Sequence, residues 1–382
     1  MTRDIYKIAA LALIASTAVV KAQSPHERHA AALAYIAAHA DSEDMVMMPM
    51  RDGVRLYNLI LFPKGLARQN MPAVLIRNPY LTEEMVTGFG DYVASLLKNG
   101  YAVIFQSERG RYWSEGTYSY LVGSGNDGFD SIDWITKQTW SNGKVGTLGC
   151  SSSAEEQHKL QGTHPPGLAA GVPMGSGAGI GRVGPFNEMG NFYRGGTVQM
   201  LWFAWYLGAG YTYRPSFPVD LSRDQLKRVA RLWNLEPEHI PSPGIDTLIW
   251  TLPINTIPER LGAAPSDLDK FVNRQPNDPA WKTVDFGGEG DQASAPILMI
   301  NSWYDVSIGP NIAMWEYQSK NAANDVARDN MFMVVAPTPH CQEGTETEHT
   351  IIGQRNMGDA RFDYVALIQR WFDHWLKGAT MV

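Results

Sequence analysis

The chain has 382 residues, 44% of them hydrophobic and 12 of them tryptophan, which predicts a packed globular core and excludes a disordered chain. Its net charge is −7 with no run of like charges, so nucleic acid is not an expected partner, because phosphate binding needs clustered Lys and Arg. The length suits one large α/β domain or two ordinary ones.

Arg3 and Lys7 precede an apolar run, residues 8–20, and Val20-Lys21-Ala22 puts small residues at the two positions a signal peptidase reads. The run is shorter than the ~20 apolar residues of a membrane span. Residues 1–22 therefore read as a signal peptide, which predicts a secreted or periplasmic protein with no membrane attachment after cleavage; because Asp4 weakens the positive n-region, an uncleaved anchor is the alternative. Residues 25–40 predict a short Ala-rich helix. Residues 45–50 and 54–62 flank Arg51-Asp52-Gly53, the pattern of a hairpin with an Asp-Gly turn.

Residues 73–76 and 102–105 are short continuous apolar runs, as in strands buried on both faces of a parallel sheet. Residues 93–98 and 129–137 predict helices. Asp127, Asp130 and Asp133 lie near the N-terminal half of the second, where the dipole favours acids. After a turn at Ser141-Asn142-Gly143, a strand at 145–148 runs directly into Gly149-Cys150-Ser151. Such alternation predicts an α/β fold with a mostly parallel sheet, whose first part spans 41–180.

From 181 to 290 the rhythm changes. Residues 191–213 are dense in aromatics, residues 221–233 are amphipathic and helical, and Pro241, Pro243 and Pro253 mark joints. This stretch reads as a helical cap inserted into the sheet domain. The sheet resumes at 297–300 and 332–335 in a second part, 291–382, which closes on a helix at 359–377.

Ser151 lies where a strand ends and a helix begins, on a turn that requires the small neighbours Gly149, Ser152 and Ser153. Ser153 replaces the usual second Gly of G-x-S-x-G. Asp305 follows the strand at 297–300, and His340 follows the strand at 332–335. The order Ser, acid, His with each residue after a strand is that of the α/β-hydrolase triad. In that geometry His340 takes the proton of Ser151, and Asp305 orients the ring and stabilises the imidazolium. His164 and His374 fit worse as bases; His349 is the real competitor. The backbone N–H of Ser152 is an oxyanion donor by position, and the phenol of Tyr80, on the loop after the strand at 73–76, is a candidate second donor. The alternative for Tyr80 is packing against the cap.

The only two cysteines flank these residues, as Cys150-Ser151 and His340-Cys341. If Ser151 and His340 meet, Cys150 and Cys341 lie close enough to bridge. The bond would close a loop of roughly 190 residues, worth on the order of 5 kcal/mol in the chain-entropy model. A bridge requires an oxidising compartment, as the leader predicts.

Several segments, in order, carry a resemblance. They are Met50-Arg51-Asp52-Gly53-Val54-Arg55-Leu56; Arg77-Asn78-Pro79-Tyr80; Arg109-Gly110-Arg111 with Ser114-Glu115-Gly116; Trp140-Ser141-Asn142-Gly143-Lys144-Val145-Gly146; Trp303-Tyr304-Asp305; and Arg370-Trp371-Phe372-Asp373-His374-Trp375-Leu376-Lys377-Gly378. The chain resembles the α/β-hydrolase family of cocaine-esterase-like enzymes, X-Pro dipeptidyl peptidases and α-amino-acid ester hydrolases. The resemblance implies Ser151 as nucleophile, Asp305 and His340 as its partners, and Tyr80 as oxyanion donor. Arg109 and Arg111 read as structural ion-pairing residues. The family has Tyr and Gly where this chain has Ser152 and Ala154; its C-terminal jelly roll is expected either to be absent here or to be missing because the sequence is a fragment. The Cys-Ser…Asp…His-Cys arrangement also resembles, locally, that of tannases and fungal feruloyl esterases, where the cysteines bridge.

The expected activity is ester hydrolysis through an acyl-enzyme, without cofactor or metal, on a small-molecule ester or amide. Phe192, Tyr193, Trp202, Phe203, Trp205 and Tyr206 are candidate walls of an apolar or aromatic pocket, with plain cap packing as the alternative for each. Glu188 is the one cap candidate for holding a peptide amine. Glu343, Glu346 and Glu348 make the loop after His340 acidic; it either attracts a cationic substrate or is simply solvated. Val306-Ser307-Ile308 lack the acidic pair that the resemblance to α-amino-acid ester hydrolases would imply. The alternatives are an X-Pro-type dipeptidyl peptidase or amide acylase, and a non-catalytic binding protein on the same scaffold. The oligomeric state is open.

Overall fold

A computed structural model describes residues 23–209, 222–225, 250–261 and 267–380. The expected leader, most of the expected helix at 221–233, and the joints at Pro241 and Pro243 lie outside the described residues.

Helix α1 (Pro25–His39) starts on a capping box, in which Ser24 and Glu27 satisfy each other's backbone N–H groups. Strands β1 (Ala40–Pro49) and β2 (Arg55–Pro63) form the expected antiparallel hairpin. Its turn needs a left-handed residue, which Gly53 supplies at φ 86°. There follow β3 (Met71–Asn78), α2 (Thr82–Gly88), α3 (Gly90–Lys98), β4 (Ala102–Ser107), α4 (Ser124–Thr136), β5 (Ser141–Cys150), α5 (Ser152–Gln161) and β6 (Leu168–Met174). After the cap come β11 (Ile297–Tyr304) and β12 (Met331–Pro339). These strands make one eight-stranded sheet in the order β1-β2-β4-β3-β5-β6-β11-β12. Only β1–β2 and β2–β4 pair antiparallel; every other pair is parallel.

Helices cover both faces of the sheet, which is why β3, β4 and the start of β11 read as unbroken apolar runs. One face packs against α1, α3 and the last helix (Tyr364–Lys377) through Ile36, Val93, Leu97, Ile368 and Phe372. The other packs against α4 and α5 through Ile132, Ile135 and Leu160. Gly146 is obligatory on β5, because a Cβ there would come within 2.5 Å of the Phe372 ring.

Two helix boundaries differ from expectation. Helix α4 begins five residues early, and its acids serve ion pairs more than the helix dipole: Asp127 binds Arg109, Asp130 binds Arg51 and Asp133 binds Lys137. The last helix begins at Tyr364 and not at 359, because Asp363 accepts from the Ala366 N–H and caps it there. Arg109 also reaches Asp52, and buried Arg111 donates to the Pro79 carbonyl, so both arginines are structural.

The cap, expected to be helical, also carries strands. It opens with a four-stranded antiparallel sheet, β7 (Gly181–Val183), β8 (Phe186–Met189), β9 (Tyr193–Arg194) and β10 (Thr197–Val198), before helix α6 (Met200–Ala209). Gly184, Gly190, Gly195 and Gly196 all take positive φ, which gives the tight reversals that such short strands need. No helix among the described residues is long and apolar enough to cross a membrane.

Candidate active site

Because β5, β6, β11 and β12 run parallel, their C-terminal ends open on one edge of the sheet, and the candidate residues sit there. Ser151 joins β5 to α5 at φ 63°, ψ −127°, a conformation that L residues rarely adopt. Its N–H donates to the Met174 carbonyl at 2.9 Å, pinning the turn to the end of β6. The turn tolerates only small neighbours, since a Cβ at Gly149 would meet Ser153 at 2.5 Å. Ser152 is the first residue of α5, so its N–H is one of the donors that a helix leaves without an internal partner.

Asp305 follows β11 and is buried. One carboxyl oxygen accepts from the N–H and hydroxyl of Ser307, at 2.9 and 2.8 Å. The other lies 2.5 Å from Nδ1 of His340, which β12 delivers to the same edge. With Nδ1–H donating to Asp305, the imidazole's Nε2 is left as the proton acceptor. The edge of the Trp202 ring packs against His340, with centroids 6.5 Å apart. Burial pulls the His340 pKa down. The Asp305 hydrogen bond and charge, with smaller contributions from Glu343 and Glu155, outweigh it and hold the pKa above its ordinary value.

A disulfide joins Cys150 to Cys341, closing a loop with a sequence separation of 191 and a Cα–Cα distance of 6.0 Å. Gly175, at the end of β6, lies between this bond and the acid–imidazole pair. A Cβ there would meet Cys150 Sγ at 3.1 Å and both Asp305 Oδ2 and His340 Nδ1 at 3.3 Å.

Ser151 and His340 line one cavity of about 690 Å³. Tyr80, Trp202 and Trp205 line it too, with Met85 from α2, Tyr92 from α3 and Phe89 at the joint between them. The other four aromatic candidates do not. Phe192, Tyr193, Phe203 and Tyr206 are buried in the cap's own core with Phe271, Trp281 and Phe286, where ring-on-ring packing consumes their surface. Glu188 is likewise no amine anchor: it is buried, ion-paired to Arg194 and hydrogen-bonded by Gln199. The loop after His340 is only partly solvated. Glu348 is exposed and pairs with Arg361, whereas Glu343 and Glu346 are buried. His349 is exposed, and the structure gives it no bond to Asp305.

Two features escaped the sequence. Trp205 Nε1 donates to the Tyr80 hydroxyl at 3.2 Å. Burial pushes the Tyr80 phenol up to about 12, while hydrogen bonds from Trp205 and Ser151 work against that rise. Beneath the serine, Glu155 accepts from Tyr120 at 2.6 Å and Asn191 at 2.5 Å, and burial raises it to about 7. An acid four residues after a turn serine carries no signal in one sequence, because its partners come from distant segments.

The architecture is that of an α/β-hydrolase. The family of X-Pro dipeptidyl-peptidases (S15 family) matches residues 52–342, and the chain belongs to it. Over 302 residues the chain is 26% identical to cocaine esterase from Rhodococcus sp. (strain MB1 Bresler), covering 77% of this chain and 48% of that protein. It thus spans about half the length of the curated relative it matches. The aminopeptidase of the marine sediment archaeon Thaumarchaeota archaeon shares the fold at TM-score 0.66 and 21% identity, over 90% of this chain and 56% of that one. An α-amino acid ester hydrolase does so at TM-score 0.52 and 23% identity, over 88% and 54%.

The bridge predicts that replacing both Cys150 and Cys341 with Ala lowers unfolding stability by up to about 5 kcal/mol and slows ester turnover. Urea denaturation and a rate assay on the same preparation check this; unchanged values for both contradict it. The raised His340 pKa predicts that kcat/KM falls as the pH drops through a value above 6.5, the ordinary imidazole value, because the protonated ring accepts no proton. Asp305→Asn removes the charge that raises this pKa. The acid limb of the pH–rate profile then moves to lower pH, and kcat drops by orders of magnitude.

Proposed function

We propose that the protein is a secreted or periplasmic hydrolase that cleaves a carboxylic ester through an acyl-enzyme on Ser151. The observation that carries this reading is the His340–Asp305 pair, set on the same cavity as a serine held on a strained turn. His340 Nε2 takes the Ser151 proton as Oγ attacks the ester carbonyl. Asp305 keeps the ring in that tautomer and balances the imidazolium. The Tyr80 hydroxyl and the Ser152 N–H donate to the oxyanion. His340 then returns the proton to the departing alcohol, and a water activated by the same ring releases the acid.

Tyr80 is suited to its part because burial keeps the phenol protonated, the form that donates. The Trp205 N–H occupies an acceptor position on the phenol oxygen and leaves the phenol hydrogen free for substrate. The apolar side chains of Met85, Phe89, Met174 and Trp202 around the cavity favour an apolar or aromatic group on the ester. Export, expected from residues 1–22, suits the disulfide. X-Pro dipeptide amides and simple amides, competed against aryl esters, separate this reading from a dipeptidyl peptidase or an amide acylase.

The central test is labelling with a fluorophosphonate: the wild type is expected to take the label on Ser151, and the Ser151→Ala protein to stay unlabelled while folded. A folded wild type that resists the label contradicts the proposal. Tyr80→Phe is expected to lower kcat by roughly 10²–10³-fold with little change in KM. Trp205→Phe, which keeps a ring but loses the N–H, is expected to lower kcat by about tenfold, and to add no further loss in the Tyr80→Phe background. Equal losses in both backgrounds would give Trp205 a packing role alone.

A further inference from the structure

We propose that Glu155 is a positioning residue that sets the Tyr80 hydroxyl for the oxyanion, acting through Tyr120 and Trp205. The inference rests on the ester-hydrolase reading and gives a part in it to a side chain that lies outside the cavity.

Glu155 stands in the first turn of α5, four residues after Ser151, and is 1% exposed. Its neighbour Glu156 pairs with Arg77, whereas Glu155 has no cation partner among the described residues. Two donors from other segments hold its carboxylate. Tyr120, on the loop before α4, donates to one oxygen at 2.6 Å, and Asn191, in the turn between β8 and β9, donates to the other at 2.5 Å. Asn191 also donates to the Tyr120 hydroxyl at 2.6 Å, which closes a triangle of hydrogen bonds. Gly177 makes room for it: a Cβ there would meet the Glu155 oxygen at 1.8 Å and Asn191 Nδ2 at 2.4 Å. The first turn of a helix favours an acid, yet a carboxylate buried without a counter-charge is still costly. Packing alone would be served as well by an apolar side chain of similar volume.

What the carboxylate fixes is the Tyr120 ring, and that ring bears on α6. Trp205 and Tyr206 both pack edge-on against it, with centroids 5.6 and 5.3 Å away. The Tyr206 hydroxyl donates to the Gly190 carbonyl at 2.9 Å, so α6 is tied to the residue before Asn191 as well. Trp205 Nε1 then donates to the Tyr80 hydroxyl at 3.2 Å, already at the long end of the N–H···O range, so a small turn of the indole breaks the bond. Only an ionised carboxylate offers an acceptor to Tyr120 and Asn191 at once without adding a donor of its own. Its charge reaches the site too: burial is the main cause that keeps the Tyr80 phenol protonated, and the Glu155 charge adds to it.

The test is kinetic, on para-nitrophenyl butyrate. Glu155→Gln keeps the shape but turns one acceptor into a donor. It is expected to lower kcat about tenfold with KM within about twofold, since the oxyanion forms only in the transition state. In the Tyr80→Phe background the same substitution is expected to cost nothing further. Unchanged kcat in folded Glu155→Gln overturns the proposal. So does an equal loss with and without the Tyr80 hydroxyl, or a loss carried by KM, either of which makes Glu155 a support for the cap alone. If Glu155→Gln does not fold, Tyr120→Phe, which keeps the ring and removes the hydroxyl that Glu155 holds, takes its place with the same expected and contrary results. A folded wild type that hydrolyses no para-nitrophenyl ester overturns the ester-hydrolase reading and this inference with it; an active wild type beside a silent Glu155→Gln overturns this inference alone.

Discussion

The bond between Cys150 and Cys341 joins the residue before Ser151 to the residue after His340, and the rest of the site depends on that connection. Strands β5 and β12 are separated in the sheet by β6 and β11, so backbone pairing alone does not tie their ends together. The disulfide spans that gap across the top of β6, directly over Gly175. It carries His340 toward the serine, sets the loop that presents Glu343, and crowds the position of Gly175, where a Cβ would meet Cys150 Sγ at 3.1 Å. An oxidising compartment keeps this clamp closed; a reducing one would open it beside Ser151 and His340.

Below the clamp, the site rests on a cluster of buried polar and charged groups. Glu156 on α5 pairs with Arg77 from β3 at 2.6 Å, and burial together with the neighbouring Glu156 charge drives Glu108 well above the usual carboxylate range. Glu155, the next residue up the helix, faces the cap through Tyr120 and Asn191. Tyr120 packs on Trp205, and Trp205 donates to Tyr80. A continuous chain of contacts thus runs from the helix behind the serine, through the cap, to the candidate oxyanion donor. Pairs of this kind contribute little net stability, but losing one partner strands a buried charge. Their arrangement accounts for how a cap of mostly aromatic packing is held in one register over the sheet.

Much of this was legible in the sequence, for identifiable reasons. Parallel strands covered on both faces must be apolar throughout, so 73–76, 102–105 and 297–300 announce themselves, and Asp305 and His340 follow such strands directly. The two cysteines are legible because there are only two and each adjoins a candidate residue. The cap resisted reading on two counts. Its strands are two to four residues long, too short for an alternating pattern to stand out. Helix α6 (MLWFAWYLGA) is apolar on every side, so no period tells that Trp202 and Trp205 face the cleft while Phe203 and Tyr206 face the cap core. The burial of Glu343 was hidden for another reason, since it depends on a disulfide and on Ser302 from a distant strand, and neither lies in the local composition of an acidic loop.

The most direct measurement combines the covalent label with the covalent bond. The protein is treated with a fluorophosphonate, digested without reductant and mapped by mass spectrometry. A single disulfide-linked peptide pair is expected, holding Cys150 to Cys341 and carrying the phosphonate on Ser151. An adduct on any other residue, or free thiols at Cys150 and Cys341 in a protein that still takes the label, contradicts the account of a serine and a histidine clamped into one site.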